Sequence, residues 1–217
     1  MRLESKFVSN ISQLNHLLTW LHSSKLVFKR HYTDRKINSL YYDTITHKSI
    51  SDNIDGISNR DKLRLRWYGE NRLPNDCTLE IKHKRNSAGF KSNLNFKNLI
   101  NFNCHNSLRN ILIKNSNGLF KEYLKFYSFP VSLITYNRSY YRSINKKIRL
   151  TIDSDISYFK QYNNNFNLHN TMQLNPSIII EFKFDICDRK FLSHNLQDFP
   201  FRISKNSKYV NSQLLNS

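Results

Sequence analysis

The segment KLRLRWY at 62–68 sets Lys62, Arg64, Arg66 and Tyr68 in alternation with Leu63, Leu65 and Trp67. Alternation with a period of two is the mark of a strand, because successive side chains leave opposite faces of a sheet. This strand must bury one face and present three cations at neighbouring pleats on the other. The pattern returns along the chain. Arg2, Glu4 and Lys6 oppose Leu3 and Phe7 in 2–9, and Thr78, Glu80, Lys82 and Lys84 oppose Cys77, Leu79, Ile81 and His83 in 77–84. In 147–153, Lys147, Arg149, Thr151 and Asp153 oppose Ile148, Leu150 and Ile152. In 178–185, Ile179, Glu181, Lys183 and Asp185 oppose Ile178, Ile180, Phe182 and Phe184. A longer strand over 131–142 carries Ile134, Tyr136, Arg138, Tyr140 and Arg142 on one side, and 26–32 and 36–43 complete a set of about eight.

Helical spacing is scarcer. Ile11, Leu14, Leu17, Leu18 and Leu21 form an apolar stripe with Asn10 or Ser12 as N-cap, which predicts a helix over 11–22 able to cover an apolar sheet face. Residues 95–114, 118–127 and 188–197 are further helical segments, and 161–176, with Asn163 to Asn165, is a polar loop. No linker or repeat divides the chain. The expectation is an α+β fold in a single domain spanning 1–217.

Composition limits the partners. Among 217 residues, 34 Lys plus Arg against 16 Asp plus Glu leave a net charge of +18, which suits a polyanionic ligand. With 39% hydrophobic and 13% aromatic residues the chain has the material for a core, so it is not a basic disordered tail. Neither common glycine-rich phosphate loop is present, so phosphate must be gripped by side chains. Cys77, Cys104 and Cys187 have neither disulfide-framework nor zinc spacing, and a reducing cytoplasm is the expected compartment. No stretch approaches the ~20 apolar residues of a membrane-spanning helix.

On a single strand a charged face is ordinarily wet. These faces, however, repeatedly set Arg or Lys one pleat from another, with a Glu inserted in three strands, and like charges so close repel unless something neutralises them. Closed into a barrel with the charges inward, the strands would line a basic tunnel and the helices would cover the apolar outside. Guanidinium forks and ammonium groups there would grip a linear, densely anionic ligand, and the carboxylates could hold a hard divalent cation.

The ordered motifs RLESKF, SLYYDT, KLRLRWYG, LEIKHK, YNRSYY, IRLTID, IIEFKF and SKY resemble the polyphosphate polymerase domain of the VTC (vacuolar transporter chaperone) family over almost the full chain. That family belongs to the triphosphate tunnel metalloenzyme, or CYTH-like, group. The resemblance implies an eight-stranded antiparallel closed β-barrel with a charged lumen. By motif, Arg64, Arg66, Lys82, Arg138 and Arg149 take catalytic phosphate-contacting positions. Lys6, Lys183, Lys205 and Lys208 take substrate-binding positions, and Glu181 with Glu4 the metal position, for Mn²⁺ or Mg²⁺. After SKY the chain continues VNS where many relatives have a glycine, and nothing here resembles the regulatory or membrane parts of fungal relatives.

The implied activity is transfer of the γ-phosphoryl of ATP to a growing inorganic polyphosphate chain, with a membrane partner as a conceivable acceptor of product. Hydrolysis of triphosphate or polyphosphate in the same tunnel is the alternative. A third reading, a non-catalytic protein binding RNA or another polyanion, rests on net charge, and no RRM, KH or helix-turn-helix signature supports it. Glu80 and Asp153 are expected to orient arginines, the eight histidines to be surface or packing groups, and Tyr136, Tyr140 and Tyr141 to pack.

Overall fold

The computed structural model describes residues 2–86, 88–162, 165–168 and 177–214. In chain order the elements are β1 (Arg2–Asn10), α1 (Leu14–Ser23), β2 (Phe28–Asp43), α2 (Lys48–Ile54), β3 (Asn59–Tyr68), β4 (Cys77–Arg85), β5 (Ala88–Phe96), α3 (His105–Lys114), α4 (Gly118–Phe126), β6 (Phe129–Ser143), β7 (Arg149–Lys160), β8 (Ser177–Asp185), α5 (Arg189–Asn195) and α6 (Lys208–Leu214). The strands form one sheet in the order β1-β8-β7-β6-β2-β3-β4-β5. The α+β class and eight-stranded count match the expectation. The barrel does not follow from the ladders: β1 and β5 end the sheet, and among the described residues no hydrogen-bonded pair joins them.

The chain divides into two compact units, one of residues 1–36, 136–156 and 173–206, the other of 37–135, 157–172 and 207–217. In the first, the alternating apolar residues of β1 and β8 meet the stripe of α1. Phe7, Ile180 and Phe182 share a core with Leu17, Trp20 and Leu21. Asn10 caps the turn that leads into α1, its side chain accepting from the Ser12 amide at 2.9 Å. In the second, Leu63 and Leu65 of β3 and Leu79 and Ile81 of β4 pack with Leu108 and Leu112 of α3 and Leu124 of α4. Full burial of each such side chain contributes roughly 1.5–3 kcal/mol.

Several expected boundaries move. The segments 26–32 and 36–43 are parts of one strand, β2, and the helix expected over 95–114 begins only at His105. Left-handed Asn98 and Asn101 break the preceding stretch, which a continuous helix cannot accommodate. Strand β5, in which Phe90, Leu94 and Phe96 alternate with Lys91, Asn93 and Asn95, and the short helices α2 and α6 were not expected. Of the polar loop 161–176, residues 163–164 and 169–176 lie outside the described residues. No helix among those described is long and apolar enough to cross a membrane.

The side of the strands opposite the helices is wet only in part: Glu4 and Lys82 are exposed, but other charges on it are enclosed. Asp153 is 0% exposed, Glu80 4%, Glu181 5% and Arg138 8%. Charges so enclosed are costly unless paired, so their partners decide what these faces can do.

Candidate functional site

In the first unit, antiparallel pairing of β1 with β8 sets Lys6 opposite Glu181 and Glu4 opposite Lys183. Lys6 Nζ lies 3.2 Å from Glu4 Oε1 and 3.5 Å from Glu181 Oε1, so the two carboxylates converge on one cation position. The same ammonium donates to the Asn206 carbonyl at 3.2 Å, and the Ser204 amide donates back to the Lys6 carbonyl at 2.8 Å. Burial works against the Lys6 charge, but Glu181 and Glu4 outweigh it and raise its pKa above the ordinary value. Glu181 also receives Lys183 at 3.3 Å and Arg138 at 3.5 Å. Arg138 is itself gripped by Asp153, with Nε to Oδ1 at 2.5 Å and Nη2 to Oδ2 at 2.6 Å. Its burial disfavours charge, and Asp153 more than compensates, holding the guanidinium pKa well above its usual range. Arg149 of β7 pairs in register with Lys183, and Thr151 with Glu181, which brings Arg149 to the same stretch of sheet.

The second unit gathers a different set. Arg64 of β3 stands opposite Glu80 of β4, donating from Nε at 2.5 Å, while Arg66 lies 3.8 Å and Lys91 of β5 3.4 Å from the same carboxylate. Burial would raise the Glu80 pKa, yet Arg64, Arg66 and Lys91 together hold it down to about 2. Arg64 Nη1 also donates to the Tyr41 hydroxyl at 3.2 Å. The SKY segment explains itself here: Ser207 accepts from Lys62 Nζ at 3.0 Å, and Tyr209 stacks on Tyr41 with ring centres 4.7 Å apart. The Tyr209 hydroxyl donates to Asp43 at 2.6 Å. Lys208, between them, is half-buried at the start of α6, and Lys82 pairs in register with Lys62 and Lys91.

One feature unites the two clusters: cations outnumber carboxylates in each, and the carboxylates clamp arginines in fixed orientations. An arrangement of this kind is preorganised for phosphate oxygens, which can take over the surplus donors.

A family model, that of the VTC domain, matches residues 1–215. The chain belongs to the VTC family. Among solved structures, this VTC chain is similar to an adenylyl cyclase-type protein from Hippeastrum described as having a dominant triphosphatase activity, with 16% identity, a TM-score of 0.58 and coverage of 99% of this chain and 96% of that one. It is also similar to a protein described as an adenylate cyclase from Vibrio parahaemolyticus, with 13% identity, a TM-score of 0.53 and coverage of 97% of both chains. These likenesses concern the fold. A comparison with curated proteins finds no match.

Set against the VTC motifs, Glu4, Lys6, Arg138, Glu181 and Lys183 share contacts, as do Arg64 and Arg66 through Glu80. Lys205 is exposed on the segment that runs along β1 beside Lys6. Lys62, Lys91 and Tyr41 are members of the second cluster that motif matching missed. Lys62 lay on the charged face of KLRLRWY and carried a signal; Lys91 lies on the polar face of β5, where alternation with Phe90, Leu94 and Phe96 offered a weaker one. Asp153 and Glu80 orient arginines as expected. Of the histidines, His105 is buried and accepts or donates to Gln161 at 2.8 Å, and burial pushes its pKa down to about 4, consistent with packing.

The residues present fit a divalent ion only with help. Among the described residues no three His, Cys, Asp or Glu side chains gather as a metal site. Glu4 and Glu181 nevertheless each place a hard oxygen donor on the Lys6 ammonium, which a divalent ion would have to displace. Mg²⁺ or Mn²⁺ commonly binds through one or two carboxylates plus substrate phosphates, and that donor set would suffice here.

Proposed function

We propose that this VTC chain is a metal-dependent phosphotransferase that moves the γ-phosphoryl of ATP onto the end of an inorganic polyphosphate chain. The observation that carries the reading is the clamped surplus of cations: buried Arg138 held by Asp153 and Glu181, and partly buried Arg64 and Arg66 held by Glu80. Phosphoryl transfer asks little covalent chemistry of a protein; it asks for aligned attacking and leaving oxygens and for positive charge around the transferring group. Arg64, Arg66, Arg138, Arg149 and Lys82 supply that charge, and Lys6, Lys183, Lys205 and Lys208 bind the flanking phosphates. The acceptor is a phosphate oxygen, so no side chain has to act as nucleophile. Glu181, with Glu4, would hold Mn²⁺ or Mg²⁺, whose contribution when bound is to neutralise charge on the leaving phosphates. Closure of the eight strands into a tunnel belongs to the same proposal.

Hydrolysis is the second reading, favoured by the triphosphatase activity described for the Hippeastrum protein, because the same cations can deliver a phosphoryl group to water. Incubation with ATP and Mn²⁺ or Mg²⁺, following ADP, free phosphate and long-chain polyphosphate together, separates the two. ADP with accumulating polymer supports the polymerase; free phosphate without polymer moves the chain to the hydrolases. In either case Glu181→Gln is expected to lower metal-dependent turnover about a hundredfold or more with an unchanged far-UV circular dichroism spectrum. Full activity in that variant removes the metal assignment.

A further inference from the structure

The amino-terminal half of β2 and the end of β6 carry a cluster that the phosphate chemistry leaves unused. Tyr32 and Tyr140 meet edge to face, ring centres 5.7 Å apart and planes at 89°. The Arg35 guanidinium lies over both rings, 5.5 Å from the centre of Tyr32 and 5.9 Å from that of Tyr140. His31 sits against Tyr32 at 4.0 Å. Asp34, beside Arg35 in the chain, is ion-paired with Arg30. All of these residues belong to the first unit. The sequence suggested that Tyr136, Tyr140 and Tyr141 would all pack; Tyr136 and Tyr141 do, at 2% and 9% exposure, whereas Tyr140 is only partly covered and Tyr32 is 52% exposed.

Strand alternation gives this cluster its meaning. Tyr140 lies two residues beyond Arg138 on β6, so both side chains leave the same face, about 7 Å apart along the strand. Arg138 belongs to the cation cluster assigned above to phosphate. Exposed aromatic rings backed by a guanidinium form the surface on which a nucleobase stacks, since every base has a π-face and arginine adds a cation–π and hydrogen-bonding contribution. A polyphosphate chain has no use for such rings, but a nucleoside triphosphate carries a base at one end of its phosphates.

We propose that Tyr32, Tyr140 and Arg35 form a subsite for the base of the nucleoside triphosphate whose phosphates reach Arg138. This rests on the phosphate-binding reading and deepens it, because it separates the nucleotide donor from the inorganic polymer.

The test is equilibrium binding without divalent metal, so that nothing turns over, titrating ATP and inorganic tripolyphosphate in parallel. Tyr32→Ala and Tyr140→Ala are expected to weaken ATP binding by about 5- to 100-fold and leave tripolyphosphate affinity unchanged, and Tyr32→Phe to keep ATP affinity. Wild-type affinity for ATP in both alanine variants overturns the subsite, as does an equal loss for ATP and tripolyphosphate, which would mark a structural effect. A single-stranded oligoadenylate without a 5′-triphosphate that displaces ATP from wild type but not from Tyr32→Ala, and binds more tightly than ATP, overturns it in favour of an RNA surface. Failure of wild-type protein to bind tripolyphosphate at all is a separate result and counts against the phosphate-binding reading itself.

Discussion

Glu80 shows how much one side chain can hold. It is 4% exposed, and its oxygens face Arg64, Arg66 and Lys91. Its carboxyl titrates near 4.5 when unfolded and is held at about 2 in the native protein. A folded pKa below the unfolded one means that the stabilising contribution is fully present above pH 4.5 and is lost as pH falls toward 2. The difference corresponds to roughly 3 kcal/mol. Chemical denaturation across this window should show stability falling with pH in the native sequence and a shallower fall in Glu80→Gln; equal slopes would mean that Glu80 is not the group responsible. The arginines themselves were legible in the sequence, since alternation with leucine fixes their face. Their clamping by particular carboxylates was legible only in kind, because register between strands decides which acid meets which base, and register is not written in either strand alone.

Among the elements, the strands announced themselves where alternation was strong, as in β1, β3, β4 and β8, and where apolar stripes were clean, as in α1. What escaped were segments whose stability is borrowed from neighbours. Strand β5 (AGFKSNLNF) alternates Phe90, Leu94 and Phe96 with Lys91, Asn93 and Asn95, but a glycine, two asparagines and a serine dilute the pattern, and β4 supplies its partner. Helix α6 has seven residues, too few for a helix to persist by itself. It is held by Tyr209, 1% exposed, through the stack on Tyr41 and the bond to Asp43. Tyr209→Phe keeps the stack and deletes the hydroxyl, leaving one oxygen of the fully buried Asp43 short of a donor. The expected cost is about 1–3 kcal/mol, seen as a lower melting temperature. Tyr209→Ala should cost more, since it removes the ring as well, and a variant order opposite to this would show that the stack contributes nothing.

For the molecule as a whole, a net charge of +18 is a standing repulsion, and part of it is enclosed around Glu181 and Glu80. A ligand that neutralises these cations binds the folded chain and not the unfolded one. At a hundred times its dissociation constant, tripolyphosphate should stabilise the fold by about 2.7 kcal/mol and raise the melting temperature by roughly 5–10 °C, less as salt is added. No shift in a thermal scan at low salt would count against phosphate binding. The pairing of Tyr209 with Asp43, 166 residues earlier, has a further consequence in time. At about 5–20 residues per second on the ribosome, roughly 10–30 s pass between synthesis of the two, and until then the Lys62–Ser207 and Tyr41–Tyr209 contacts do not exist. A nascent chain that already displays Arg64 and Arg66 lacks the helix that completes their surroundings, so this cluster acquires its finished form only once residues 208–214 have been made.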